Sequence, residues 1–389
     1  MIIRRDVYND IEPYLSSPEA IVITGMRRTG KTTLLRFIYD RIDLDNKIFI
    51  DLENTLNQKY FDEEDYEKVK LNFEILGLDL SRQAYVFLDE IQFVGNLPQV
   101  VKYLYDHYQV KFFLTGSSSF YLRNLFSESL VGRKYVFELF PLNFREFLLL
   151  KGEKLVVPKK GQQVSKTIFH TFDRFYDEYL KFGGFPGVVE KSNVAEKKRA
   201  LNDVFSSYFQ LEVLQLGDFR KTDVIRDLIL LLMQRIGSKI DIQKLASELS
   251  VSRPTIYEYL SFLEGTYFIH LIKPFSGSRD VEIRGAEKVY LCDSGLANNI
   301  AQISQGSLFE NNIFQILRPR GAVNYYQKKG GAEIDFIVNK KEAYEVKLSP
   351  SSKDLSTLGR ISQELKLNDF RLVSRNYLEM ENVCYGFDL

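Results

Sequence analysis

Between Ala20 and about Leu139 the apolar positions fall into short runs separated by stretches with helical spacing. The runs are AIVIT (20–24), KIFIDL (47–52), AYVFLD (84–89), VKFFLT (110–115) and KYVFEL (134–139). Near-continuous hydrophobicity over five or six residues suits strands covered on both faces, as in a parallel sheet whose crossovers are helices. The pattern therefore predicts a five-stranded α/β domain. Pro141 stops the last strand, and a helix-rich stretch follows, with Asn143–Leu150, Thr171–Phe182 and Glu196–Val213 as its clearest helices. Gly183, Gly184, Pro186 and Gly187 interrupt it with a tight loop.

From Asp241 the pattern changes again. A short helix (Ile242–Leu249), a Ser250–Ser252 turn, a helix opening at Arg253-Pro254 and the strand-like TYFIHLIKPF read as a helix-turn-helix with a wing. Past Gly277 a Gly/Ser/Arg break leads into mixed α/β patterning that runs to Leu389. The organisation predicted is four segments: 1–145, 146–235, 236–280 and 281–389. No fixed-period repeat or low-complexity tract is present, and the acidic cluster Asp62 to Glu67 reads as a solvated loop or helix face.

Composition narrows the class of protein. At 389 residues the chain exceeds one ordinary core, and 45% hydrophobic with 27% charged residues is a globular profile. Lys+Arg 52 balances Asp+Glu 52, so any nucleic-acid surface has to be local. Cys292 and Cys384 are too few for a disulfide framework, and with three His a Cys/His zinc site is excluded as a leading reading. The N-terminal MIIRRDVYND has charges where a signal peptide needs an apolar core, and runs such as Leu228–Met233 are too short for a bilayer, which takes roughly 20 apolar residues. A cytoplasmic protein with no membrane partner is expected.

Candidate chemistry begins at Gly25-Met-Arg-Arg-Thr-Gly30-Lys31-Thr32, which satisfies GxxxxGK[ST] between a strand and the apolar-periodic helix Leu34–Ile42. Gly25 and Gly30 allow backbone angles that let successive N–H groups converge on phosphate oxygens, and the helix N-terminus adds partial positive charge. Gly25, Arg28, Thr29, Gly30, Lys31, Thr32 and Thr33 are the candidate contacts to ATP, Lys31 at the β/γ-phosphates and Thr32 at Mg²⁺. The strand ending in Asp89-Glu90 supplies the partner acids: Asp89 for Mg²⁺, Glu90 to orient or deprotonate the attacking water. Phe112 to Ser119 ends a strand in hydroxyls that either contact the γ-phosphate or cap a helix. Arg133, in Val131-Gly132-Arg133, is either an arginine finger for a neighbouring subunit or a surface ion-pair residue.

With these residues assembled, the chain resembles the AAA+ ATPases. More narrowly it resembles an archaeal and bacterial family that joins such an ATPase to a winged helix and a C-terminal nuclease-like domain. The likeness rests on GMRRTGKTT, VFLDEIQ, FFLTGSSS, LVGRKYVFELFPLNFREF, YLKFGGFPGVVE, KVYLCDSGLANNI, FENNIFQIL and EIDFIV…EAYEVKLS, in that order along nearly the whole length. It implies Lys31 and Thr32 as nucleotide and Mg²⁺ contacts, Asp89 and Glu90 as the acidic pair, Ser117 or else Thr115 as sensor, and Arg133 as finger.

The C-terminal pattern is a hairpin: Glu333 to Val338, a polar turn, then Ala343 to Lys347. Asp335 lies on its first strand, while Glu345 and Lys347, two apart, share a face of the second. That spacing resembles the D…ExK core of PD-(D/E)XK nucleases. Two carboxylates could bind Mg²⁺ beside a scissile phosphate with Lys347 polarising water, and Glu310 resembles the extra acid some such nucleases carry. The alternative is an inert fold used for binding or assembly. Arg253, Thr255 and Tyr257 open the recognition helix, with Glu258 and Glu264 opposing phosphate contact, so that module either meets DNA or serves as packing.

The expectation is an oligomeric Mg²⁺-dependent ATPase coupling hydrolysis to DNA binding or processing. Its rivals are an ATP-dependent signalling switch whose inert C-terminal domain binds a protein, and a metal-dependent nuclease whose ATPase regulates access.

Overall fold

A computed structural model of the protein describes residues 2–117, 132–217, 219, 221–328 and 331–389. These fall into two compact units, Met1–Phe140 with Gly265–Tyr267, and Pro141–Glu264 with Phe268–Leu389.

In the first unit the five apolar runs form β1 (Ala20–Thr24), β2 (Lys47–Asp51), β3 (Ala84–Asp89), β4 (Val110–Gly116) and β5 (Lys134–Glu138). They make one parallel sheet in the order β2-β3-β4-β1-β5. Two-residue alternation divides each central strand between two cores. Val22, Val86, Leu88, Phe112 and Leu114 pack on one side with helices Tyr66–Ile75 and Leu97–His107. Ile21, Ile23, Phe87 and Phe113 pack on the other against Leu34, Leu35 and Ile38 of helix Lys31–Arg41. Burial on both faces is why these runs show no polar alternation. The edge strand β5 is less apolar and leaves Val136 exposed. The acidic cluster behaves as solvated: Asp65 caps helix Tyr66–Ile75 by accepting from the Glu67 N–H.

The second unit opens with helix Phe144–Leu150, fixed by a reciprocal capping box between Asn143 and Glu146. Helix Lys166–Phe182 begins a turn and a half before the expected Thr171, because the Ser165 hydroxyl caps the Ile168 N–H. Its aromatic stripe Phe169, Phe172, Tyr176 and Tyr179 is buried. The glycine-rich interruption is a loop followed by a short helix, Pro186–Val189, with Pro186 in the first turn. Helix Val194–Tyr208 continues as a π-helix through Leu216.

Helices Ile242–Glu248 and Arg253–Gly265 fall where the helix-turn-helix pattern put them, and β6 (Ile269–Ile272) follows. β6 pairs antiparallel with β7 (Lys288–Leu291), so the strand completing that small sheet comes from beyond position 280. The last sheet contains β8 (Val323–Gln327), β9 (Glu333–Val338), β10 (Glu342–Lys347), β11 (Asp369–Ser374) and β12 (Val383–Tyr385), in the order β12-β11-β10-β9-β8. It is mixed: β8, β9 and β10 run antiparallel to one another, while β10, β11 and β12 are parallel. The hairpin turn takes Asn339 and Lys340 into the left-handed region at φ 51° and 58°. Helix Ser352–Glu364 covers the sheet through Leu358 and Ile361. Helix Gln305–Leu317 packs Phe314 against Phe336 with ring centroids 6.1 Å apart.

Candidate functional site: a phosphate loop and a paired-acid strand end

The loop between β1 and helix Lys31–Arg41 has a backbone that few sequences tolerate. Gly25 has φ 145°, and a Cβ there would lie 2.3 Å from the Leu139 carbonyl oxygen. Gly30 caps the helix at φ 96°, and the intervening Arg28 also has positive φ, 68°. The Lys31 ammonium is buried and folded over the loop, donating to the carbonyls of Gly25 (3.0 Å) and Met26 (3.1 Å). Thr29 is fully buried, its hydroxyl donating to Met26 O at 2.9 Å. Thr33 and Arg28 are exposed and Thr32 is half-buried.

β4 separates β1 from β3, so the loop and the acid pair stand two strand spacings apart, roughly 10 Å. The gap is bridged by side chains. Asp89 is buried and accepts a hydrogen bond from the hydroxyl of Thr115 on β4, and the Thr32 hydroxyl on the loop helix lies near the same carboxylate. Burial pushes its carboxyl above the usual range, and those two hydroxyls oppose the shift. Thr115 Oγ1 also accepts the Glu90 N–H at 3.0 Å. Glu90 itself sits at φ 55°, left-handed, where β3 breaks into a turn. Gln92 Nε2 donates to Glu90 Oε2 at 2.6 Å and to Ser117 Oγ at 3.1 Å. Lys31, Thr32, Asp89, Glu90, Thr115 and Ser117 are thus gathered at the carboxyl end of one parallel sheet, a hydroxyl and carboxylate set suited to a hydrated divalent ion.

Ser118 and Ser119 lie outside the described residues. Another expected residue stands apart from this cluster. Arg133 is at the opposite end of the sheet, where its carbonyl accepts from Ala20 N at 2.8 Å. Five residues of β5, about 16 Å, separate that level from the phosphate loop. Its guanidinium donates to both Asp106 oxygens, at 2.9 and 3.4 Å.

Sequence reasoning missed Arg5. Its buried guanidinium donates to Thr29 O (2.9 Å) and Phe140 O (2.7 Å), tying the phosphate loop to the chain leaving β5. An isolated Arg in a charged N-terminal stretch carries no signal of that use.

The C-terminal carboxylates also converge. Asp335 is buried and accepts the Val346 N–H at 2.8 Å, and Glu345 pairs with Lys347 at 2.7 Å. The second oxygen of Glu345 is buried with no hydrogen-bond partner among the described residues. Two further side chains enter unforeseen. Lys288, buried on β7, is ion-paired with Glu333 and lies 4.0 Å from Glu310, whose carboxylate accepts from the Tyr290 hydroxyl at 2.6 Å. Burial, reinforced by the charge of Asp335, pushes Glu310 and Glu345 each up to about 7, and burial raises Asp335 as well. For Lys288 the carboxylates of Glu310, Asp335 and Glu333 outweigh burial and hold the ammonium charged. Among the described residues no three His, Cys, Asp or Glu side chains come close enough to hold a metal ion, so the ligand set on offer is Asp335 with Glu345. The orphaned Glu345 oxygen fits a cation there.

Strand order, phosphate loop and acid pair define an AAA-type nucleotide-binding domain. Residues 17–148 match the family described as AAA domain, and residues 173–307 match a Domain of unknown function (DUF8612). Over 383 residues the chain is 30% identical to uncharacterized protein MJ1544 of Methanocaldococcus jannaschii, covering 94% of this chain and 84% of that one. A Haemophilus influenzae protein is 25% identical over 355 residues, covering 88% and 85%. Among solved structures, that of the Aeropyrum pernix ORC1 protein in complex with DNA is loosely similar, with a TM-score of 0.36 at 12% identity, covering 78% of this chain and 94% of that one. The chain belongs to the family of the M. jannaschii protein and carries an AAA ATPase-type domain. Among the described residues no helix is long and apolar enough to cross a membrane.

Proposed function

We propose that the protein is a Mg²⁺-dependent ATPase that couples hydrolysis to binding or processing of DNA through residues 236–280 and the C-terminal mixed sheet. One observation carries the ATPase reading: the Thr32 hydroxyl from the loop helix comes close enough to the Asp89 carboxylate of β3 to favour its charged form, although their strands are not neighbours. Mg²⁺ bound by that pair would neutralise charge on the phosphate oxygens. Lys31 would exchange its two carbonyl partners for phosphate oxygens, and Glu90 would orient and accept a proton from the attacking water. Since the Thr115 hydroxyl is committed to Asp89, Ser117 is the better γ-phosphate sensor. Arg133, a strand length away from its own loop, suits a finger for another copy in a homo-oligomer.

DNA contact is supported by the exposed Arg253 and Tyr257 opening helix Arg253–Gly265. Nuclease-like chemistry would rest on Asp335 and Glu345 as Mg²⁺ ligands with Lys347 beside them and Glu310 near. A second reading, an ATP-dependent switch whose inert C-terminal domain binds a protein, is favoured by Lys288, which already compensates part of that acidic cluster.

Calorimetry tests the first claim. The parent protein should take up Mg·ATP, and Lys31→Ala should weaken uptake on the order of 100-fold. Hydrolysis is then measured with single-stranded and duplex DNA over a salt series, where stimulation that fades with salt supports DNA. A rate indifferent to nucleic acid favours the switch. Mn²⁺-dependent nicking lost in Asp335→Ala, with hydrolysis retained, would assign cleavage to the C-terminal site.

A further inference from the structure

We infer that Gln92 is a positioning residue for hydrolysis, holding the Glu90 carboxylate in its working orientation and linking that orientation to Ser117. The inference deepens the ATPase reading above and rests on it.

Glu90 needs help to be aimed. Its backbone is in the left-handed region, at the point where β3 gives way to a 3₁₀ turn, and its N–H is held by Thr115. Backbone fixation sets where the side chain starts but leaves its own torsions free. Among the described residues the carboxylate has one hydrogen-bond partner, the Gln92 amide, at 2.6 Å. A carboxylate accepts only, so the atom facing it is the amide nitrogen and not its oxygen. The same nitrogen has a second hydrogen, and that one reaches Ser117 Oγ at 3.1 Å. One amide therefore spans the ends of β3 and β4, strands that lie side by side in the sheet.

Gln92 is fastened through its nitrogen alone. Its Oε1 is buried and has no hydrogen-bond partner among the described residues. The amide orientation is thus decided by Glu90 and Ser117 together. If the Ser117 hydroxyl turns toward a γ-phosphate, Gln92 feels the change directly and transmits it to the base two residues back. The unpaired Oε1, in the same amide, would accept from a water delivered beside Glu90. Glu in place of Gln would set two carboxylates against each other.

The test uses the full chain and compares parent, Gln92→Ala, Gln92→Glu, Ser117→Ala and the Gln92→Ala/Ser117→Ala double variant, with Glu90→Gln as control. Affinity for Mg·ATP and kcat are measured separately, and thermal melting checks folding. Affinity should stay within about threefold, while kcat falls at least 10-fold in both Gln92 variants, within the range that base alignment supplies. Ser117→Ala should cost less in the Gln92→Ala background than in the parent, because the part of its contribution that passes through the amide is already lost there. A merely structural glutamine would lower the melting temperature and leave kcat of the folded variants at the parental value. Folded Gln92 variants with parental kcat, beside an inactive Glu90→Gln, would overturn this inference alone. A parent that binds Mg·ATP and never hydrolyses it would overturn the ATPase reading and this inference with it.

Discussion

The two charged clusters of this protein are built on opposite principles. At the phosphate loop, the ionised groups are held by neutral partners: Lys31 by two carbonyls, Asp89 by the Thr115 hydroxyl, Glu90 by an amide. Neutral partners of this kind are exchangeable, and an incoming anion and cation can replace them at little cost. At the C-terminal cluster, Glu310, Glu333 and Glu345 are paired to Lys288 and Lys347 from the chain itself. Internal ion pairs give charge balance without a ligand, and partial burial leaves Glu310 and Glu345 ready to hold protons near neutrality. The first cluster leaves its charged groups on partners that a ligand can replace, whereas the second is balanced from within.

The largest effect expected from this contrast is kinetic. Glu90→Gln should leave Mg·ATP affinity near the parental value and lower kcat on the order of 10²- to 10⁴-fold. Parental turnover in that variant would remove Glu90 from its role. At the other cluster, Lys288→Ala strands buried carboxylates and should cost about 3–5 kcal/mol of stability in chemical denaturation. A loss below about 1 kcal/mol would mean that the cluster is not balanced by Lys288.

Protons should act next. Glu310 and Glu345 are raised from ordinary carboxyl values to about 7. A raised carboxyl binds its proton more tightly in the folded state, so the stabilisation is full below about pH 4.5 and is lost as pH climbs to about 7. Denaturation at pH 5 and pH 8 should therefore differ by on the order of 2 kcal/mol, with the protein weaker at pH 8. Glu345→Gln should flatten that slope, and Mn²⁺ at pH 8 should recover part of the loss if Asp335 and Glu345 take a cation. The smallest change is expected at Arg133. Its pair with Asp106 is half-exposed, so Arg133→Ala should cost under about 1 kcal/mol in stability. Any large fall in turnover must then come from a finger role. Rescue by an inactive subunit that retains Arg133 would establish a composite site, and absence of rescue would argue against one.

Much of the first unit was legible in the linear pattern. Strands AIVIT, AYVFLD and VKFFLT appear within one residue of their expected limits, because burial on both faces leaves an unbroken apolar signature. The phosphate loop was legible for a local reason also: its glycines, lysine and threonine act within one turn of chain. Helix boundaries were less so where a single cap decides them, as Ser165 does. Pairing across the small sheet was missed, since β7 lies beyond a break that reads as a boundary.

What the chain's sequence settled alone is whatever depends on neighbours along the backbone: the period of each element, the glycines at positive φ, the spacing of Glu345 and Lys347. Gln92 shows the limit. It stands two residues from Glu90, yet its meaning comes from Ser117, 25 residues on, brought alongside only when β3 and β4 pair. Lys288 likewise meets Glu333 across 45 residues. Tertiary structure decided which charges are balanced from within and which are left to exchangeable partners, because electrostatic and hydrogen-bond energies depend on distance in space and on exclusion of water, neither of which is written in the order of residues.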